Sequence, residues 1–542
     1  MNLSLQNKPQ IVIGTFEPSK PGPGLRGFCR LAQYQMLYMP KKGYYVGKSG
    51  SMDFPADKSY VAIALVVFAA IFFAFYPSYF TSIDEHTLLK NSLLLHEGQI
   101  GEQNPELACR STIYNQQGYV AAQFFGKSVF LLPFTFFGLD GVMLSGLLIH
   151  ILNAILLYLI LKKLSIDPRF TILYIFMPVM LWEARTLYSE LLVLTAFLAA
   201  FYFYIKNTRN SNFISGAIFG LAMFVRYEAI AGFAAFSLPL LFSDRKKLLE
   251  LAAGFIPVVV LIMAFNTYAY SGPLSTGYGA GQSLLLSTIV AAFSTELHTL
   301  ILYTLLLLLL PPLLLASPFI SKERKYLLQF VLLAGAYLIL NARFTNFLAF
   351  DFSAATTLTA RLRYLVPLIG ILIIHYSSML DSAFSKWKLP RNAVFAAALI
   401  VLAAGAVFGS AMHSNLTTSR SQTYEQIRSV VPQDALVIGS SDDCIYSLTR
   451  DLKRTRYLNI APVSDIGPTG DKLNLLEKLD NNTYILELRY SNLEDNSGTR
   501  QDSIDAERKR IEDFVKNNKQ GLSLVFETKE PNSLRIYKWI GG

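Results

Sequence analysis

Two adjacent carboxylates, Asp84 and Glu85, stand in the run Thr81-Ser82-Ile83-Asp84-Glu85-His86, just beyond the apolar stretch Tyr60 to Phe80. Such a pair is a poor membrane anchor. At the mouth of an apolar segment it is a competent general base, because the membrane surface spares it the full penalty of burial in hydrocarbon. Other ionisable residues occupy comparable places: Lys127 in Gln123-Phe124-Phe125-Gly126-Lys127-Ser128, Glu190 in Leu187-Tyr188-Ser189-Glu190, Arg226 and Glu228 in Val225-Arg226-Tyr227-Glu228, and Arg361 and Arg363 in Arg361-Leu362-Arg363-Tyr364. A carboxylate can deprotonate an acceptor hydroxyl. The planar fork of arginine donates paired charge-assisted hydrogen bonds to a phosphate, and its charge stabilises a phosphate leaving group. Glycosyl transfer from a lipid-linked sugar phosphate would need this set.

Each residue also has a plain structural use. Asp84 and Glu85 suit a solvated loop start, and Glu190 suits a helix N-terminus, where the dipole favours an acid. Arg226 can pair with Glu228, Arg226 and Arg363 can snorkel to the interface, and Lys127 can flank an interfacial helix. His86, His96 and His150 are too dispersed for a metal site, and Asp351 reads as a solvated loop residue.

These residues are set among membrane-length segments. Hydrophobic residues fill 52% of 542 positions and charged residues 16%, in long apolar runs separated by short basic clusters, which excludes an ordinary soluble enzyme. About eleven spans are expected, at 60–80, 141–161, 170–184, 188–205, 212–226, 229–242, 249–269, 298–319, 326–343, 364–380 and 393–412. Basic clusters at Lys162, Lys163 and Arg169, at Lys206 and Arg209, at Arg245 to Lys247, at Lys322 to Lys325 and at Lys386 to Arg391 fall in alternate turns, as the positive-inside rule requires. That distribution accounts for the formal charge of +10, so no nucleic-acid partner is implied.

Residues 1–58 form a basic segment rich in Pro and Gly, expected to be irregular and cytoplasmic. Residues 59–412 make the transmembrane domain, whose first outward loop, 81–126, is long and acidic. The loop leads into the short stretch Val129 to Phe137, broken at Pro133, which suits a helix lying in the interface and roofing a cavity. After His413 the composition turns polar, and strand-like runs at 435–438, 484–488, 522–526 and 534–537 alternate with a helical stretch at 502–515. Residues 413–542 thus read as a small extracytoplasmic α/β domain. Cys29, Cys109 and Cys444 are too few and scattered for a metal cluster or a disulfide framework; Cys109 and Cys444 can lie on the same side of the membrane, but two free buried thiols are expected.

Residues 60–412 resemble the GT-C class of polytopic membrane glycosyltransferases, particularly the branch with protein O-mannosyltransferases and lipid A aminoarabinose transferases. The resemblance rests on the acidic pair Asp84-Glu85 after the first span, the long outward loop closing on an interfacial helix, Tyr188-Ser189-Glu190, Arg226-Tyr227, and Arg363-Tyr364 with Pro367. The family's usual Lys/His-Pro-Pro-type segment is replaced here by Gln123-Phe124-Phe125-Gly126-Lys127. The Trp-Trp-Asp motif of oligosaccharyltransferases is absent, the tryptophans being Trp182, Trp387 and Trp539.

The resemblance implies that Asp84 is the catalytic base, with Glu85 and Glu190 beside it, and that Arg226, Arg361, Arg363 and Lys127 hold the phosphate of a polyprenyl (dolichyl) phosphate-linked sugar. A hexosyl or pentosyl unit would pass to a glycan, lipid or protein hydroxyl on the outer face of a multi-pass cell-membrane protein. No cofactor is called for, although a divalent cation is compatible. The rival class, a transporter or lipid flippase, predicts inverted repeats and polar sites at the bilayer midplane, whereas the polar residues here cluster at one surface. A single cysteine placed in 413–542 is expected to react with a membrane-impermeant label on intact cells, and reaction only after permeabilisation would reverse the orientation.

Overall fold

The computed structural model describes residues 55–104, 107, 112–121, 123–208, 210–275, 304, 313–321, 326–342, 362–440, 443–448, 451–454, 456–459, 479–489, 498–529 and 533–541. The chain divides into two units, Met1–Met52 and Asp53–Gly542, and every described residue belongs to the second. The expected basic segment up to residue 54, the span at 298–319 for the most part, Arg361 and Asp351 lie outside the described residues.

The apolar run after Asp53 forms α1 (Pro55–Ala74), and the acidic pair opens α2 (Ile83–His96). A three-stranded antiparallel sheet follows, with β1 (Gly101–Glu102) and β2 (Thr112–Asn115) flanking β3 (Gly118–Ala121). The segment expected as an outward loop is therefore a helix and a small sheet. Next come α3 (Phe125–Leu131), a 3₁₀ turn at Leu132–Phe137 and α4 (Gly138–Lys163). In that order, Pro133 stands at the start of the 3₁₀ turn, where its missing N–H is harmless.

The apolar run 170–184, expected as one span, breaks into α5 (Thr171–Ile175) and α6 (Pro178–Glu183). Pro178 cannot continue a helix that precedes it, and neither piece is long enough to cross a membrane. The helices α7 (Glu190–Lys206), α8 (Ser211–Val225), α9 (Ile230–Ser237), α10 (Leu240–Ser243) and α11 (Arg245–Tyr270) complete the first part of the bundle. Beyond them lie α12 (Ser317–Ile320), α13 (Leu327–Ala342), α14 (Val366–Trp387) and α15 (Arg391–Val430).

By length and composition, four helices among the described residues can cross a membrane: Phe125–Lys163, Arg245–Tyr270, Arg363–Trp387 and Arg391–Val430. Shorter apolar helices occupy Lys58–Ala74, Ser211–Val225, Tyr227–Ser243 and Leu327–Asn341. Large apolar side chains stay exposed on α1 (Ile63, Val66), α11 (Val260, Leu261) and α15 (Ile400, Val401, Phe408), a surface that lipid would cover. At one end of the bundle Asp167 binds both Arg169 (2.6 Å) and Arg391 (3.1 Å), and Arg169 reaches Asn392 (2.6 Å). That cluster ties the turn after α4 to the start of α15.

Close packing of α8 on α11 depends on small residues. A Cβ added to Gly216 would lie 1.9 Å from the Leu251 carbonyl oxygen, and Gly254 on α11 faces Phe213 O at the same distance. The sequence Gly216-Ala217-Ile218-Phe219-Gly220 is thus a small-xxx-small seam, which lets backbones approach where lipid offers no hydrophobic drive between helices.

After α15 the chain forms β4 (Leu436–Gly439), β5 (Tyr457–Asn459), β6 (Thr483–Arg489), α16 (Gly498–Asn517), β7 (Leu522–Thr528) and β8 (Ser533–Trp539). The sheet order is β5-β4-β6-β8-β7, parallel across β5-β4-β6 and antiparallel across β6-β8-β7. Strand alternation separates its faces: Leu436, Ile438 and Ile485 pack with Ile511 of α16, while Val437, Tyr484, Leu486 and Ile536 join a core shared with Tyr79, Leu88, Leu89 and Leu139. The change in composition at His413 falls inside α15, which continues unbroken to Val430.

Three further contacts join the sheet region to α2 and its flanks. Tyr79 Oη donates to Ile445 O (2.9 Å), Ser447 Oγ bonds His86 Nε2 (3.0 Å), and Arg454 bridges Glu97 (2.6 Å) and Glu102. Burial pushes the His86 imidazole down to about 3, so it stays neutral in this contact. Cys444 is disulfide-bonded to a partner outside the described residues, which corrects the expectation of a free thiol. Sequence separation carries no information on spatial approach, and that is why the pairing is invisible in the chain alone. Gly216→Val is expected to lower the thermal midpoint in detergent by several degrees through the α8–α11 clash, whereas Gly335→Ala, with open space around its Cβ position, should leave it unchanged.

Candidate active site

Ser82 precedes α2 in extended conformation, so Asp84 and Glu85 occupy the first helical turn, where the helix dipole favours acids. The two carboxylates then diverge. Glu85 is fully buried: one oxygen accepts the Thr81 N–H (2.9 Å) and the Thr81 hydroxyl, and the other accepts the Leu187 N–H (2.9 Å). Burial pushes its carboxyl above the usual range, against the opposing pull of these bonds and of the Arg420 charge. Asp84 keeps about 30% of its side chain exposed, accepting from Gln123 Nε2 at 3.0 Å and from Arg363 Nη2 at 3.3 Å.

Arg363 enters from the turn before α14. Its guanidinium lies over the Tyr188 ring at 4.0 Å and the Tyr364 ring at 4.7 Å, and Nη2 donates to Tyr364 Oη at 2.7 Å. Held between two aromatic faces, the group keeps little rotamer freedom. Arg226, which ends α8 in extended conformation, is engaged differently. Its Nη1 meets Glu190 Oε1 and its Nη2 meets Glu228 Oε1, both at 2.7 Å. The fork expected to receive a phosphate already holds two carboxylates, and Glu190 is one of them.

Lys127 lies on α3 and is 1% exposed. Its ammonium rests 5.4 Å from the Phe130 ring and has no hydrogen bond or ion pair among the described residues. Gly126 explains how it gets there: a Cβ at that position would fall 2.6 Å from Phe224 O, so α3 can lie against the end of α8 only with glycine. Beside the arginine end of the site, a small recess is lined by aromatic residues including Phe124, Phe125, Phe224, Tyr227 and Phe265. Among the described residues, no group of three or more His, Cys, Asp or Glu side chains is arranged to hold a metal ion.

The structure therefore brings together Asp84, Glu85, Lys127, Glu190, Arg226 and Arg363, whereas Arg361 lies outside the described residues. It adds Glu183 at the end of α6, 1% exposed, with neither carboxylate oxygen hydrogen-bonded. The signal for Glu183 was present in the sequence, since an acid inside an expected span marks a functional residue by default.

Compared with family models and with curated protein sequences, the chain matches none. Among solved structures it is similar to ArnT from Cupriavidus metallidurans bound to undecaprenyl phosphate, with a TM-score of 0.51 and 11% identity over 88% of this chain and 97% of that one. The fold is GT-C-like. The apo oligosaccharyltransferase of Archaeoglobus fulgidus (TM-score 0.42, 10% identity, 73% of this chain and 64% of that one) also matches. So does the arabinofuranosyltransferase AftD from Mycobacteria (TM-score 0.43, 13% identity, 90% and 40%).

In this GT-C-like frame the geometry separates the expected residues by what they touch. Asp84, Arg363 and Lys127 present polar groups that a ligand can meet, while Glu85, Glu190 and Arg226 are occupied by the protein itself. Glu85→Gln keeps the side-chain volume but puts an amide NH₂ against a backbone N–H. It should cost about 1–3 kcal/mol of stability, read as a lower thermal midpoint of the purified protein.

Proposed function

We propose that the chain is a membrane glycosyltransferase that moves a monosaccharide from a polyprenyl phosphate-linked donor to an acceptor hydroxyl at the extracytoplasmic face. One observation carries the reading: a partly exposed carboxylate, Asp84, is held beside Arg363 in the same site as Lys127, a buried ammonium with no partner among the described residues. Base and phosphate ligands are what such a transfer requires. The GT-C-like fold supports the reading, as does the undecaprenyl phosphate bound by the similar ArnT structure.

Asp84 takes the proton of the acceptor hydroxyl as its oxygen attacks the anomeric carbon. The bond from that carbon to the phosphate oxygen breaks, and direct displacement inverts the configuration. The polyprenyl phosphate leaves with its new charge facing Lys127 and Arg363. Glu85 orients the segment carrying Tyr188 rather than the substrate, and Arg226 with Glu190 and Glu228 braces the wall next to it.

The distribution of basic turns in the sequence supports an outward position for this end of the bundle. The Cys444 disulfide supports the same assignment, because disulfides persist on the oxidising side of the membrane. Asp84→Asn keeps size and most hydrogen bonding but cannot accept a proton. Turnover of purified protein in lipid, assayed with a panel of polyprenyl phosphate sugars and acceptors, should fall by roughly 10²–10⁴-fold with folding intact. Near-normal turnover in the correctly inserted variant would reject Asp84 as the base, and no transfer by the wild type across the panel would reject the function.

A further inference from the structure

We infer that Arg185, on the segment between α6 and α7, is the ligand of a membrane phospholipid, its guanidinium taking the headgroup phosphate in a crevice between α1, α6 and α15. Such a site requires no transfer at Asp84 and stands apart from the donor.

Arg185 is 3% exposed, yet its Nε and Nη2 have no hydrogen bond and the side chain has no ion pair among the described residues. Its guanidinium lies 5.5 Å from the Phe72 ring of α1. The Arg185 N–H donates to Trp182 O (3.0 Å), and the Trp182 ring stands 4.6 Å from the His413 ring of α15. His413 is fully buried with both ring nitrogens unpartnered, and Ser410, one turn earlier on the same buried face, has an unpartnered hydroxyl. By contrast, Arg169, Arg226, Arg363, Arg391 and Arg454 each meet a carboxylate. Glu183, two residues before Arg185, faces Arg363 and Lys127 instead.

Arginine stays charged in any protein environment, so Arg185 cannot shed its charge as a buried lysine does. An enclosed guanidinium without a counter-ion is costly, and a bound anion removes that cost. The level in the membrane selects the anion. From Arg391, clamped to Asp167, α15 rises to His413 by roughly 33 Å, about one hydrocarbon thickness. His413 and its neighbour Arg185 therefore stand at headgroup level, on the side of the candidate site. Toward the hydrocarbon, Phe73 of α1 and Val407 and Phe408 of α15 are exposed, an apolar track for acyl chains. The guanidinium fork suits a phosphate, and the His413 imidazole supplies a further N–H beside it. A free anion has no use for the apolar track, whereas a phospholipid uses both.

A structural arginine and a lipid-binding one respond differently to an apolar replacement. Without lipid, Arg185→Met exchanges an uncompensated buried charge for a side chain of similar length, so the protein keeps or raises its thermal midpoint. A guanidinium that served only to pack against the Phe72 ring would be missed whether or not lipid is present.

The test takes the full-length protein, stripped of lipid in a maltoside detergent, and titrates it with phosphatidylglycerol, reading bound lipid by native mass spectrometry together with the thermal midpoint. Wild type should take up the lipid saturably and gain several degrees, while Arg185→Met should bind it at least about tenfold more weakly and gain nothing. Arg185→Lys, which keeps the charge but not the fork, should fall between them. Diacylglycerol, with the same chains and no phosphate, and inorganic phosphate, with no chains, should each leave the wild type unshifted. Absence of saturable uptake by the wild type, equal uptake and shift in Arg185→Met, or an equal shift with diacylglycerol overturns the inference. An equal shift with inorganic phosphate makes this a site for a free anion and overturns the lipid assignment. Loss of folding in Arg185→Met, with Arg185→Lys binding lipid as the wild type does, marks a structural arginine and overturns it as well.

Discussion

The site is organised around the carboxylate of Glu85. It is a buried carboxyl whose oxygens are both filled by the chain, Thr81 on one side and the Leu187 N–H on the other. Removing this acceptor would strand two backbone donors in the interior, at a cost of about 1–3 kcal/mol each. The bond to Leu187 spans residues far apart in sequence, pinning the start of α2 to the segment between α6 and α7. Along that segment stand Glu183, Tyr188, Ser189 and Glu190, so the same bond sets where Arg363 finds its lower aromatic face and where Arg226 finds its acid.

The arginines divide the work that follows. Arg226 is braced between Glu190 and Glu228 and behaves as part of the wall. Arg363 is held by ring faces, which fix its plane without filling all of its hydrogen-bonding edge: its Nε has no partner among the described residues. Tyr364 touches both, accepting a hydrogen bond from Arg363 and lying 5.3 Å from the Arg226 guanidinium. A guanidinium immobilised before ligand arrives loses little entropy on binding, which is the usual source of strength in an anion site.

Much of the framework was legible in the sequence because it follows from period and composition. The strand-like runs lie in β4, β6, β7 and β8, the helical stretch at 502–515 lies in α16, and the interfacial stretch with Pro133 lies in α3 and the 3₁₀ turn. What stayed hidden depends on partners. Asp84 and Glu85 are indistinguishable as neighbours in a sequence, yet a helical turn sends one toward Arg363 and buries the other under Leu187. Arg226 carried a phosphate expectation that two carboxylates displace. The run 170–184 had the hydropathy of a span, but Pro178 breaks it, and Glu183 at its end was read as part of a crossing. Gly126 looked like a departure from a motif and is instead the contact that admits Lys127.

The last apolar helix also has a mechanical meaning. At 40 residues α15 is roughly 60 Å long, about twice the hydrocarbon thickness of a bilayer, with no proline inside it to act as a joint. Its far end carries Tyr424 and Ile427 into the core beneath the sheet, while Arg391 at its start is clamped to Asp167. A rod fixed at its base turns small rotations into large excursions: a tilt of about 5° moves the tip of a ~45 Å arm by about 4 Å. That is farther than the contacts of Tyr79, His86 and Arg454 with the sheet region can stretch. The roof over Asp84 and the membrane anchor of α15 must therefore move together or separate.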